Sequence, residues 1–395
     1  MSEVRAGTSS DAEMLNLDED ALRRLSGRIA SDVAAGRYLG ASLLVARGGV
    51  IGYRDQIGQV APGRPASEDD IYLLMSLSKA FTAALVLRAI DHGRLSLDTR
   101  IADVIPAFAV RGKHLITIRQ LLTHSGGTYS AFPPPPPLTM AQDVGELKKN
   151  VQVLSGLPLA FTPGSQVVYN PFASYALLGQ ILVEIDERGR SFSEIARDDL
   201  FAPLGMMDTT YGLAVNEPRR VPVSVAGANA AVIDKAMFEI LNTAFHERSE
   251  HPAGGAFGTT TDVFRFADAL RRGGSSDEYR LLSRTIFEYA CRNHTGSMRN
   301  GFWDFDREAR GIPEFPANIS LLGGYVRETG HHLTPLGHTA SSRAFGAVGG
   351  GSTLWLVDPD RDLTFVFLSA GFLEGLDHFA RLQQLSDLAL AAVAD

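Results

Sequence analysis

The chain has 395 residues, 45% hydrophobic and 21% charged, ordinary for a globular protein and enough for one large or two medium domains. A net charge of -8 with scattered arginines argues against a nucleic-acid partner, because phosphate binding needs a basic stripe. No run approaches the roughly 18 uninterrupted apolar residues of a membrane span, and the polar, acidic stretch Met1 to Asp20 does not read as a secretory leader, so a cytoplasmic location is expected.

In chain order, Leu22, Leu25, Ile29 and Val33 recur at helical spacing between Asp18 and Arg37, and Gly36 supplies a stop. Ala41 to Ala46 and Val50 to Ile57 are β-prone runs joined at Gly48-Gly49, a dipeptide suited to the positive φ of a hairpin. Ser78 to Asp91 is rich in Ala and Leu without a breaker and is followed by Gly93, which predicts a helix. From about Arg94 to Pro316 the pattern predicts helices and long loops with no strand ladder. The helical runs are Ile118 to Thr123, Ser174 to Glu187, Ser193 to Ala202, Thr261 to Arg271 and Ser283 to Cys291. Within this stretch Pro133 to Pro137 lacks backbone donors and reads as a stiff surface loop, with an SH3-type ligand as the competing reading.

Cys291 is the single cysteine, which excludes an internal disulfide and a thiolate metal cluster. It reads as a small packed residue at the end of its helix. Beyond it, Ile319 to Arg327, Ser352 to Val357 and Asp362 to Ser369 are β-prone and punctuated by glycines, and Leu376 to Val393 closes the chain as a helix. Residues 12–70 and 318–395 therefore predict a mixed α/β region with an antiparallel sheet, and residues 71–317 a mostly helical region with long loops.

The chemistry-bearing motif is Ser76-Leu77-Ser78-Lys79. By composition alone a Ser-x-x-Lys arises roughly once in a chain of this length, so its setting matters more than its presence. Lysine is scarce, with only Lys79, Lys113, Lys148, Lys149 and Lys235, and the motif opens a predicted helix, where residues three apart share a face. A helix N-terminus adds free N–H groups and partial positive charge that favour an alkoxide or oxyanion. Lys79 can then act as a base only if burial lowers its pKa. The competing structural reading makes Ser76 an N-cap and Lys79 a solvated first-turn residue.

The run Asp70 to Ala84 containing this motif, followed by Gly93-Arg94-Leu95-Ser96-Leu97-Asp98, resembles the class C β-lactamases, penicillin-binding D,D-peptidases and related family VIII esterases and acyltransferases. The likeness continues through Ile118 to Gly127, with Leu121-Leu122-Thr123-His124-Ser125-Gly126-Gly127 at its end, then Phe201 to Thr210 and Gly254 to Asp262, spanning about residues 40 to 380. It implies an α+β fold of the class C β-lactamase type, an antiparallel sheet with flanking helices packed on a mostly helical region. It also implies a catalytic Ser76, Lys79 and Tyr169, the last following Pro163-Gly164. The oxyanion donors are expected from Ser76 and from the strand bearing Gly349 and Gly350, with no cofactor and no metal.

Two departures from the family pattern bear on substrate. Pro171 stands where β-lactamases have the asparagine of Tyr-x-Asn, and Ala347 stands where a Lys-Thr-Gly or His-Thr-Gly cation is expected. A missing cation points to a substrate without a carboxylate. The expectation is a serine hydrolase or acyltransferase forming an acyl-Ser76 intermediate on a small ester or acyl thioester, with an acyl acceptor or acyl-carrier donor as a further partner. An amidase, D-peptidase or β-lactamase is the nearer alternative, and a non-catalytic binding descendant of the fold the more distant one. Other patterns fail on spacing: His246, Glu247 and His251 do not fit the zinc-protease helix, and His331, His332 and His338 read as loop residues.

Overall fold

The computed structural model describes residues 14–131, 134–226, 235–373 and 375–394. Its centre is a seven-stranded sheet in the order β3-β2-β1-β10-β9-β8-β7, antiparallel throughout. β1 spans Gly40–Arg47, β2 Val50–Ala61 and β3 Arg64–Pro65. β7 spans Tyr325–Val326, β8 Phe345–Gly349, β9 Thr353–Asp358 and β10 Leu363–Ala370. β1 lies beside β10, Gly40 opposite Ala370 and Arg47 opposite Leu363, so the two chain ends share one sheet. Gly48 and Gly49 take φ of +62° and +81° in the β1–β2 hairpin, as expected of that dipeptide.

β1 is buried almost without interruption because both faces of the sheet are covered. Leu43 and Val45 point to the outer face, where they meet Phe365, Phe367 and the apolar stripes of α1 (Glu19–Ala34) and α5 (Gly375–Leu390). Leu44 and Ala46 point to the inner face with Trp355, Val357 and Val366, against α4 (Thr260–Arg271) and then α2 (Ser78–Asp91). α2 is buried on every side from Ser78 to Leu87, as a helix at the middle of a large core must be. Also in this helical region is α3 (Ala173–Glu184).

Two features differ from the sequence expectation. The helical region contains a second sheet, β4 (Tyr72–Leu73), β6 (Ala256–Gly258) and β5 (Thr210–Tyr211), in the order β4-β6-β5; strands of two or three residues are too short to show a period. The β-prone run Ile319 to Arg327 is strand only at β7, because the chain turns at Ser320–Gly324 over the start of α2. A Cβ on Gly323, whose φ is +74°, would fall 2.7 Å from the Lys79 carbonyl oxygen, so only glycine permits this approach.

Within the proline run, Pro133 lies outside the described residues, Pro134 and Pro135 are buried, and Pro136 and Pro137 are exposed. Among the described residues no helix is long and apolar enough to cross a membrane.

Candidate active site

β4 ends one residue before a single 3₁₀ turn, Met75–Leu77, which runs straight into α2. Ser76 is half-buried in that turn, and Lys79, one turn further on, is buried to 1% exposure. The Lys79 amine has three neighbours: the Pro171 carbonyl oxygen at 3.1 Å, the Ala253 carbonyl oxygen at 2.8 Å and Ser76 Oγ at 3.1 Å.

Burial pulls Lys79 down from 10.5 to about 7, and among the described residues no carboxylate pairs with it to oppose that. A neutral amine has two N–H groups and one lone pair. Two carbonyls can only accept, so they take the N–H groups and leave the lone pair to face the Ser76 hydroxyl. The solvated first-turn lysine of the competing reading is not what the fold builds.

Tyr169 lies in the loop before α3, and its hydroxyl donates to Ser76 Oγ at 2.7 Å. Burial pushes the phenol up to about 12, the bond to Ser76 partly opposing it, so Tyr169 is protonated at neutral pH. Three successive N–H groups fix its backbone. Val168 donates to the His124 carbonyl (3.1 Å), Tyr169 to Asn300 Oδ1 (2.8 Å) and Asn170 to His124 Nδ1 (3.0 Å). The His124 ring also lies 4.7 Å from that of Tyr169, centroid to centroid. Burial first, and the Lys79 charge second, lower His124 to about 3, so it is neutral and its proton is on Nε2.

The Asn170 side chain turns away from Ser76. Its Nδ2 donates to Thr128 Oγ1 and the Tyr129 carbonyl, and its Oδ1 accepts from the Phe172 and Ser174 N–H groups at the start of α3. Among the described residues no side-chain amide of this loop therefore faces Ser76, and the loop contributes the Pro171 carbonyl instead.

The structure thus brings Ser76, Lys79 and Tyr169 together. His124 and Asn300 had been given no part in the chemistry. His124 sits inside a stretch already singled out, but Asn300, 131 residues from Tyr169, carries no local signal.

On the strand side, the cavity at Ser76 is lined by His124, Tyr169, Ile319, Gly323, Gly324, Tyr325 and Val348, with no charged side chain among the described residues. Ala347 is fully buried in the inner core and is not among the residues that line this cavity. A Cβ on Gly349 would fall 2.5 Å from the Leu74 carbonyl oxygen, so β8 can lie against the turn that carries Ser76 only with glycine there. Gly350 is beyond the end of β8, against Phe372 and Met75, and lines a separate recess.

The remaining sequence candidates lie elsewhere. Cys291 caps its helix, and burial raises its thiol well above the usual range. His331 stacks on His338, and His332 contacts Asn318. His251, dismissed as a zinc ligand, is buried against Phe172, and burial, with Lys79 second, lowers it to about 3.

A family profile described as Beta-lactamase matches residues 25–389. Esterase EstB of Burkholderia gladioli is 28% identical over 364 residues, covering 80% of this chain and 89% of that protein. Among solved structures, a penicillin-binding protein homolog from Caulobacter crescentus superposes with a TM-score of 0.75 at 24% identity, covering 95% of this chain and 98% of its own. EstCE1, a hydrolase with promiscuous acyltransferase activity, superposes with a TM-score of 0.75 at 20% identity, covering 95% and 99%. These two likenesses show the fold, the antiparallel sheet with flanking helices expected from the sequence.

Proposed function

From the premise that this chain belongs to the β-lactamase family, we propose that it is a serine esterase or acyltransferase acting through an acyl-Ser76 intermediate on small esters or acyl thioesters. The observation that carries this reading is Ser76 Oγ held between a phenol that donates to it and an amine whose other two contacts are carbonyl oxygens.

Lys79 takes the Ser76 proton as Oγ attacks the acyl carbonyl. The developing oxyanion is met by the Ser76 N–H, which a helical start leaves without an intrahelical acceptor, and by an N–H from the end of β8 beside Gly349. Tyr169 passes its proton to the leaving oxygen; in deacylation its phenolate takes a proton from the attacking water, alcohol or amine, and the Lys79 ammonium returns the first proton to Ser76 Oγ. Water, or an alcohol or amine in an acyltransferase, then attacks the acyl-Ser76 carbonyl and restores the serine.

Ester over amide is favoured by what the cavity lacks. No cation lines it to hold a carboxylate, and the side-chain amide of this loop is spent capping α3. EstB and EstCE1, an esterase and an acyltransferring hydrolase by name, agree with that preference; the penicillin-binding relative keeps D-peptidase as the second reading.

The test is intact-protein mass spectrometry after a fluorophosphonate, followed by kcat/KM for p-nitrophenyl butyrate against nitrocefin. A single adduct on Ser76 and faster ester turnover are expected. No adduct would leave a binding descendant, and nitrocefin turnover matching the ester would restore β-lactamase.

A further inference from the structure

We infer that Met75, the residue before the nucleophile, sets the length of the acyl group by closing a recess on the acyl side of Ser76. This rests on the esterase or acyltransferase reading above. Met75 has φ +48°, a conformation uncommon for a side chain of its size, and it is half-buried rather than turned into solvent.

An acyl carbonyl bonded to Ser76 Oγ has three other directions to fill. Its oxygen faces the backbone donors, and its leaving group must face Tyr169, the proton donor 2.7 Å from Oγ. That puts the leaving group in the cavity of His124, Tyr169 and Tyr325. The acyl chain is left with the side away from Tyr169, where Met75 meets the end of β8.

There the Met75 side chain runs over two glycines. A Cβ on Gly349 would lie 3.4 Å from Met75 Cβ, and one on Gly350 would lie 3.9 Å from Met75 Cγ. Beyond it is a recess lined by Tyr72, Met75, Val223, Gly350, Thr353 and Phe372. The Tyr72 and Thr353 hydroxyls, on residues 2% exposed, have no hydrogen-bond partner among the described residues. Met75 lines this recess and is the residue next to Ser76 in the chain. Short acyl groups fit in front of Met75, and longer ones require the thioether to be displaced.

Met75→Ala shortens the wall, and Met75→Gly also relieves the positive φ, so the fold should survive in at least one variant. Each is compared with the parent on p-nitrophenyl acetate, butyrate and octanoate, with melting temperature and fluorophosphonate labelling of Ser76 recorded alongside. A disturbed nucleophile slows every ester alike, so the readout is the octanoate-to-acetate ratio of kcat/KM. The parent should favour acetate and butyrate over octanoate by about tenfold or more, and the variants should raise the ratio by about tenfold. The inference is overturned if folded, labelled variants leave the ratio within about threefold, or if the parent already hydrolyses octanoate as fast as acetate. A parent that neither labels at Ser76 nor hydrolyses any ester removes the proposed function itself, a different result from an unmoved ratio.

Discussion

Two fully buried charge-bearing groups sit on opposite faces of the sheet and are treated in opposite ways. On the outer side, Asp32 of α1 is 0% exposed and is met by Arg28, by Arg37 at 2.9 Å and by Arg381 at 3.2 Å. On the inner side, Lys79 is just as buried, yet its neighbours are two carbonyls and a hydroxyl. A buried charge surrounded by opposite charges ties helices together. A buried amine without a counter-ion gives up its proton, because desolvation disfavours only the charged form. The difference separates a group that holds the fold from a group that is available for proton transfer.

Substitutions can break the comparison from either side. The largest effect is expected at the inner site. Ser76→Ala or Lys79→Met should lower kcat/KM by about 10³-fold or more with the circular dichroism spectrum unchanged, since one removes the nucleophile and the other its base. A Ser76→Ala protein that hydrolysed p-nitrophenyl butyrate at the parental rate would show the chemistry to be elsewhere. Tyr169→Phe deletes a proton donor and little volume, so kcat should fall by about a hundredfold, near 3 kcal/mol of barrier, with the melting temperature held. A kcat within about threefold of the parent would make that phenol structural.

Asp32→Ala is the mirror experiment. Chemical denaturation should show a loss of about 3 kcal/mol, the low end for a broken buried pair because Arg28 and Arg37 can turn to water, while kcat stays the same. A fall in kcat without loss of stability would dissolve the distinction between the two faces.

The smallest effect is in pH dependence. Folded Lys79 loses its proton near pH 7, whereas in the unfolded chain it holds it to about 10.5. Between those values the unfolded state binds the extra proton, so stability rises with pH, by at most about 1.4 kcal/mol per pH unit. Below pH 7 both states are protonated and the dependence vanishes. Denaturation of the parent relative to Lys79→Met from pH 6 to 9 should show this rise, and kcat/KM should increase through about pH 7 as the base becomes neutral. A flat difference between the two proteins would mean that Lys79 is solvated in solution.

Much of this was legible in the residues. The hairpin at Gly48-Gly49, the helix after Ser76 and the three-residue step to Lys79 are local patterns, and local patterns survive in a sequence because backbone conformation and helix periodicity act over a few residues. Tyr169 was reached only through resemblance, since 93 residues separate it from Ser76 and no spacing rule spans that distance. Asn300 and the carbonyls of Pro171 and Ala253 were not legible, because a backbone acceptor has no residue identity and a long-range clamp has no period.

By itself, then, the sequence determined that a serine and a lysine share one face at a helix start, that the two chain ends form antiparallel sheet, and that no cation follows in the strand near Ala347. Only the tertiary structure decided that Lys79 is buried without a counter-charge among the described residues, that Asn170 faces α3 instead of Ser76, and that Met75 stands over Gly349 and Gly350. Those three facts depend on which distant surfaces exclude water and on which atoms fill the space, and burial is a property of the assembled core rather than of any segment within it.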